Sequence, residues 1–260
     1  MESLDILIRK LNCALDFKRK VVGVRFLANL DEFENSHALN LKNPINYCTM
    51  VKSASNGHAL KATTKDFKCK SAPRVLGIDS SDEKNSKGEN WARLGLYKDS
   101  ELSFKVRENL MYSKEEIYGL EIASLEYFSA SELDIVIIIT NPYNVMRIVQ
   151  GYSYNFGMPK NINMIGNQAV CLECTAVPYL TEDINVSMLC IGTRHKNKWD
   201  NDEMAVGIPF DKFSKVVQGV YDTINIMESN ENKKKIEAKL ANENFDDLNI
   251  KYDYNYYMDV

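Results

Sequence analysis

The sequence predicts an α/β or α+β domain, a mixed sheet with helices packed on it, and three observations carry that prediction. Short aliphatic runs alternate with stretches of helical periodicity, the pattern of strands interleaved with helices. The run from Ile135 to Ile139 is wholly aliphatic, as expected of a strand buried on both faces. Two asparagine–proline dipeptides, Asn43-Pro44 and Asn141-Pro142, each open a helix-like stretch that ends at a glycine, Gly57 or Gly157.

The elements follow in chain order. Leu4, Leu7, Ile8, Leu11 and Leu15 recur at helical spacing and predict an opening amphipathic helix. Val21 to Leu27 reads as a strand, and a polar connection, Asp31 to Lys42, leads to Asn43. There an asparagine side chain can accept a free amide of the first helical turn while Pro44 presets φ. Asp79 to Asn90 reads as a polar loop, and Ser113 to Tyr118 is expected to begin another helix. Asp134 to Thr140 is the second clear strand, and the helix opened by Asn141-Pro142 ends at Gly157 and Pro159. Asn185 to Gly192 reads as a strand, Thr193 to Glu203 as a polar stretch and Met204 to Ile208 as a further strand. Pro209 then leads into a helix whose Phe213, Val216, Val217 and Val220 share a face. From Glu228 onward charge dominates: a helix begins at Lys233-Lys234-Lys235, and Asp246 to Val260 is acidic and tyrosine-rich. The expected division is a duplicated α/β domain over residues 1–227 and a charged helix with an acidic tail over 228–260.

Sliding Asn43 to Gly57 onto Asn141 to Gly157 pairs Val51 with Val149 and Cys48 with Met146, and Cys69 and Cys171 follow at nearly the same offset. The sequence therefore predicts two pseudo-equivalent strand–helix–Cys units in one domain, aiming their thiols at one place.

At 260 residues and 45% hydrophobic content the chain can bury a normal globular core. Asp and Glu outnumber Lys and Arg by 36 to 32, for a net charge of -4, and the basic residues are scattered, which argues against a nucleic-acid partner. The first residues, Met1 to Asp5, are acidic where a signal peptide is basic, and the longest aliphatic run is too short to span a bilayer. A cytoplasmic protein without a membrane partner is expected. In a reducing compartment its six cysteines read as core thiols, metal ligands or catalytic groups, not disulfides. No Gly-x-Gly-x-x-Gly, P-loop or His-Glu-x-x-His occurs, so phosphate cradles and zincin hydrolysis have no support.

Four segments occur in a telling order: Val21-Val22-Gly23-Val24-Arg25-Phe26, Tyr47-Cys48-Thr49-Met50-Val51-Lys52, Cys69-Lys70-Ser71-Ala72-Pro73-Arg74-Val75-Leu76-Gly77 and Cys190-Ile191-Gly192-Thr193-Arg194. Together they resemble the domain of unknown function 169, the uncharacterised ArCR family, over roughly Leu4 to Val220. The resemblance implies one domain over nearly the whole chain and an activity that the family name leaves open. The family-like positions are Cys48, Cys69, Cys171, Cys190, Gly192 and Arg194. Val21-Val22 departs from a proline–valine start of the first strand, and Cys174 has no counterpart in the resemblance.

Thiolates bind zinc, copper(I) and iron–sulfur clusters strongly because their charged sulfur is soft, and four converging thiols would suffice. Cys171-Leu172-Glu173-Cys174 is the single Cys-x-x-Cys; its thiols would meet on one face of a helix, although Pro178 is expected to break that segment. Arg194 and His195 follow Cys190 closely, placing a cation and a base near that thiol. His37 and His58 read as surface residues. The leading expectation is a binding protein whose Cys48, Cys69, Cys171 and Cys190 surround a cleft holding a metal such as zinc, an iron–sulfur cluster or a thiophilic small molecule. A second is a thiol-dependent enzyme with Cys190 or Cys171 as nucleophile and Arg194 as anion anchor. A third is an interaction protein with inert buried cysteines.

Overall fold

The computed structural model describes residues 3–79, 89–110, 113, 117–129, 132–245 and 252–254. The first half contains α1 (Leu4–Leu15), β1 (Val22–Leu27), α2 (Leu30–Asn35), β2 (Leu39–Asn40), α3 (Tyr47–Ser55), β3 (Leu60–Thr63), α4 (Ser71–Val75), α5 (Glu89–Arg93), α6 (Ser100–Glu108) and β4 (Gly119–Ser124). The second contains β5 (Ile135–Thr140), α7 (Pro142–Phe156), a π-helix (Ala169–Ala176), α8 (Val177–Thr181), β6 (Asn185–Ser187), α9 (Ile191–Asn197), β7 (Met204–Pro209), α10 (Phe210–Asp222), α11 (Ile224–Met227) and α12 (Asn230–Asn242). No helix among the described residues is long and apolar enough to cross a membrane.

The strands form one seven-stranded mixed sheet in the order β2-β3-β4-β1-β5-β7-β6. β2 and β3 run parallel and the other neighbours antiparallel, which makes the fold α+β. Side chains alternate across the sheet as the pleat dictates. Val24, Ile122, Ile135, Ile137 and Ile139 face a core closed by α3, α4, α5 and the π-helix. Val136, Ile138, Val206 and Ile208 face a second core, closed by α1, α7, α10 and α12. The aliphatic run of β5 thus feeds both cores, as expected of a central strand. Ile236 and Leu240 tie the charged helix α12 into the second core.

The strand order reads symmetrically about the β1/β5 pair, since β1, β3, β4 on one side mirror β5, β6, β7 on the other in chain order. The helices do not follow this symmetry, and the duplication expected from the sequence is not confirmed. α3 lies on the first core and α7 on the second, whereas a two-fold axis relating antiparallel neighbours would keep both on one face. The Asn43-Pro44 signal is also displaced. Ile45 bridges to Phe67, with Ile45 N donating to Asp66 O and Lys68 N to Ile45 O, so the chain stays extended and α3 begins after Asn46. At the second dipeptide Asn141 does cap α7, accepting from Asn144 N at 2.9 Å with Pro142 in the first turn, and Gly157 ends it at φ 77.

Two further segments depart from the sequence reading. The strand expected to Gly192 stops at Ser187, because the Ser187 hydroxyl accepts Leu189 N at 3.1 Å and Leu189 turns to φ 62. The polar stretch after it is then partly helical, as α9. Pro178 does not break its segment: it sits where the π-helix passes into α8, a position that needs no N–H from it. The loop expected from Asp79 to Asn90, the helix expected from Ser113 and the tail from Asp246 fall largely outside the described residues.

Gly207 of β7 sets the depth at which the π-helix packs, because a Cβ there would overlap the backbone of Cys174. Gly207→Ala is expected to destabilise the protein by about 1–3 kcal/mol, the usual penalty of overpacking, and urea unfolding followed by circular dichroism measures it.

Candidate functional site

Four separate segments each bring a cysteine to one cavity. Cys48 stands in the first turn of α3, Cys69 in the connection from β3 to α4, Cys171 on the π-helix, and Cys190 at the N-cap of α9. All four line a cavity of about 120 Å³ on the first-core side of the sheet. Tyr47, Gln168, Thr193 and Lys196 line it too, and no histidine, aspartate or glutamate does among the described residues. All six cysteines of the chain are free.

The π-helix is held open from both sides. Thr175 Oγ1 donates to Val170 O at 2.6 Å, spanning its wide turn, and the Tyr47 hydroxyl lies 2.9 Å from the same Thr175 oxygen, tying α3 to it. Glu173, fully buried, accepts from Ile165 N at 2.7 Å, from Gly166 N at 3.0 Å and from the Ser187 hydroxyl. One carboxylate thus joins the incoming loop, the π-helix and the end of β6. Hydrogen bonds five residues apart widen the turn, so residues three apart no longer stack as in an α-helix. Cys171 lines the cavity, while Cys174 is fully buried with its backbone against Gly207 and takes no part. Cys13 lies on α1 in the opposite core.

Two of the cavity thiols accept hydrogen bonds. Asn197 Nδ2 donates to Cys48 Sγ at 2.9 Å, and Thr49 Oγ1 donates to Asn197 Oδ1 at 2.7 Å, which fixes the amide the right way round. Thr193 N donates to Cys190 Sγ at 3.4 Å, and the Thr193 hydroxyl lies 3.0 Å from that sulfur. Burial, and next the neighbouring thiols of Cys69, Cys190 and Cys48, push the Cys171 thiol well above the ordinary range. Burial also raises Cys48, reinforced by Cys190 and opposed by the hydrogen bonds from Asn197 and Thr193. The sulfurs are therefore within electrostatic range of one another, and burial favours the protonated form at Cys171 and Cys48.

Arg194 is not among the residues lining the cavity. Its guanidinium donates to Met188 O and Glu203 O, both at 2.8 Å, and to Asp200 O, so it ties the segment before α9 to the loop after it. His195 is exposed. Among the described residues, the cation lining the cavity is Lys196. Among the described residues no three His, Cys, Asp or Glu side chains are drawn together tightly enough to hold one metal ion. Sequence reasoning missed Gln168, Lys196 and Asn197. The last two lie in the stretch read only as polar, and cysteine is not a residue that announces an N-cap.

The sequence profile of the family described as uncharacterised ArCR, domain of unknown function 169, matches residues 10–219. A protein of Methanocaldococcus jannaschii, itself named only as uncharacterized, is 24% identical over 214 residues, covering 82% of this chain and 91% of that relative. No solved structure matches the chain.

Proposed function

The chain belongs to the uncharacterised ArCR family, and from that premise we propose that it is a binding protein that holds a thiophilic group, a soft metal centre or a thiol-seeking small molecule, among Cys48, Cys69, Cys171 and Cys190. The observation that carries the reading is that four cysteines far apart in sequence line one cavity. Sulfur-only donors suit soft cations and are poor ligands for magnesium or calcium. Binding is favoured over nucleophilic catalysis because among the described residues no histidine or carboxylate lines the cavity to serve as base, and the guanidinium of Arg194 is committed to backbone carbonyls. A cytoplasmic setting, in which thiols stay reduced, is part of the proposal.

Protein purified without oxygen is expected to show, by native mass spectrometry, a bound mass that is lost on denaturation. The variant carrying serine at all four cavity positions is expected to lack it. Because the Cys171 and Cys48 thiols are raised, a soft cation must displace their protons. Its affinity is therefore expected to rise with pH, about tenfold per pH unit for each proton displaced. A native mass equal to that of the bare chain, together with no uptake of soft cations at any pH, would remove the reading.

A further inference from the structure

We infer that the ligand of this cavity is a preformed iron–sulfur cluster and not a single metal ion, an inference that rests on the thiols forming a binding site at all. A zinc ion holds sulfur at about 2.3 Å, which keeps its ligands within about 4 Å of one another and leaves no void among them. In this chain no three such ligands are gathered that tightly among the described residues. The thiols instead surround about 120 Å³ of open space, where a single water needs only about 10–15 Å³. Thiolates that share a cluster bond to different irons and so stand farther apart than thiolates on one ion.

The surroundings suit a polynuclear anionic group. A cluster with four thiolate ligands carries net negative charge, and the charged residue at the cavity wall is Lys196. Hydrogen bonds to ligand sulfur tune a cluster's potential, and Cys48 and Cys190 already accept them from Asn197 and Thr193. Gln168 lines the same cavity, and its buried Oε1 has no hydrogen-bond partner. A half-turn of that amide presents its NH2 group as a donor to a cluster sulfide.

Loading is a ligand exchange. Each iron–sulfur bond to a small thiolate carried by the incoming cluster breaks, a bond to a protein sulfur replaces it, and the protein thiol's proton leaves on the departing small thiol. No electron changes hands.

The probe is a synthetic tetranuclear iron–sulfide cluster carrying small-thiolate ligands, added without oxygen to the full chain. Iron, acid-labile sulfide and visible absorption are then read after gel filtration. One cluster per chain is expected. Single serine replacements at Cys48, Cys69, Cys171 and Cys190 are each expected to lower its retention at least tenfold, and Cys13→Ala to leave it unchanged. Lys196→Glu, at an exposed position where folding is not at stake, is expected to weaken retention and make the cluster harder to reduce. If the chain takes up zinc through the same four thiols but no sulfide-containing chromophore, the cluster inference falls while the thiophilic site stands. If it takes up neither and its native mass equals that of the bare chain, both fall.

Discussion

Glu173→Ala is expected to empty the thiol cavity as well as weaken the fold. Its carboxylate accepts from the amides of Ile165 and Gly166 in the loop before the π-helix and from the Ser187 hydroxyl at the end of β6. Each buried donor left unpaired costs about 1–3 kcal/mol, so a loss of about 3 kcal/mol or more is expected in urea unfolding. The same substitution frees the π-helix, and Cys171 with it, so the bound mass seen by native mass spectrometry is expected to fall with stability. Glu173→Gln separates charge from geometry. Burial holds the Glu173 carboxyl above its ordinary range, against the pull of Ser187 and the two amides. The folded chain therefore keeps that proton where the unfolded chain has lost it. Stability from this group is complete below the usual glutamate range and declines as pH rises through the raised value. Urea midpoints across that window are expected to decline with pH in the native protein and to lose this component in Glu173→Gln.

Glu228→Gln is expected to produce the largest loss of stability that leaves the cavity intact. The Arg147 guanidinium is fully buried and donates to Glu228 Oε1 at 2.6 Å, while Tyr143 donates to Glu228 Oε2 at 2.6 Å. Arg147 also donates to Thr223 Oγ1 at 2.9 Å and Val220 O at 2.8 Å, so one cation locks α7 against α10 and the turn after it. Neutralising Glu228 leaves that cation buried without a counter-charge, which costs about 3–5 kcal/mol. Adding Arg147→Met to Glu228→Gln is expected to recover part of the loss, since the unpaired charge and not the missing bond is the larger penalty. Thermal unfolding of the single and double variants measures both effects. The pair lies with the second core, so alkylation rates of the cavity thiols in the folded variants are expected to match those of the native chain.

The legibility of this fold in its sequence tracks local physics. α1, β5, α7, β7 and α10 were readable because periodicity and caps agreed with the tertiary answer, as at Asn141 and Gly157. Asn43-Pro44 carried the same local signal, but the bridge between Ile45 and Phe67 overrode it, a contact no window of sequence displays. The helix α9 was hidden because its N-cap is Cys190 and its strand ends at a serine that turns its own backbone. The four cavity cysteines were singled out from the sequence, but partly by a duplication that the helices do not share. Cys69 and Cys190, which follow β3 and β6, are the pair that occupies matching places in the strand order, not Cys69 and Cys171. Asn197, Gln168 and Lys196 were illegible because only the tertiary fold brings Asn197 to the Cys48 sulfur and the other two to the cavity wall.

The convergence of four thiols on one cavity is tested most directly by a short bifunctional thiol cross-linker applied to the native chain, with linked pairs read by mass spectrometry after digestion. Links confined to pairs among Cys48, Cys69, Cys171 and Cys190, with Cys13 and Cys174 left out until the protein is denatured, are the predicted result. Links from Cys13 as frequent as those among the four, or no native link between Cys48 and Cys190, would contradict the account.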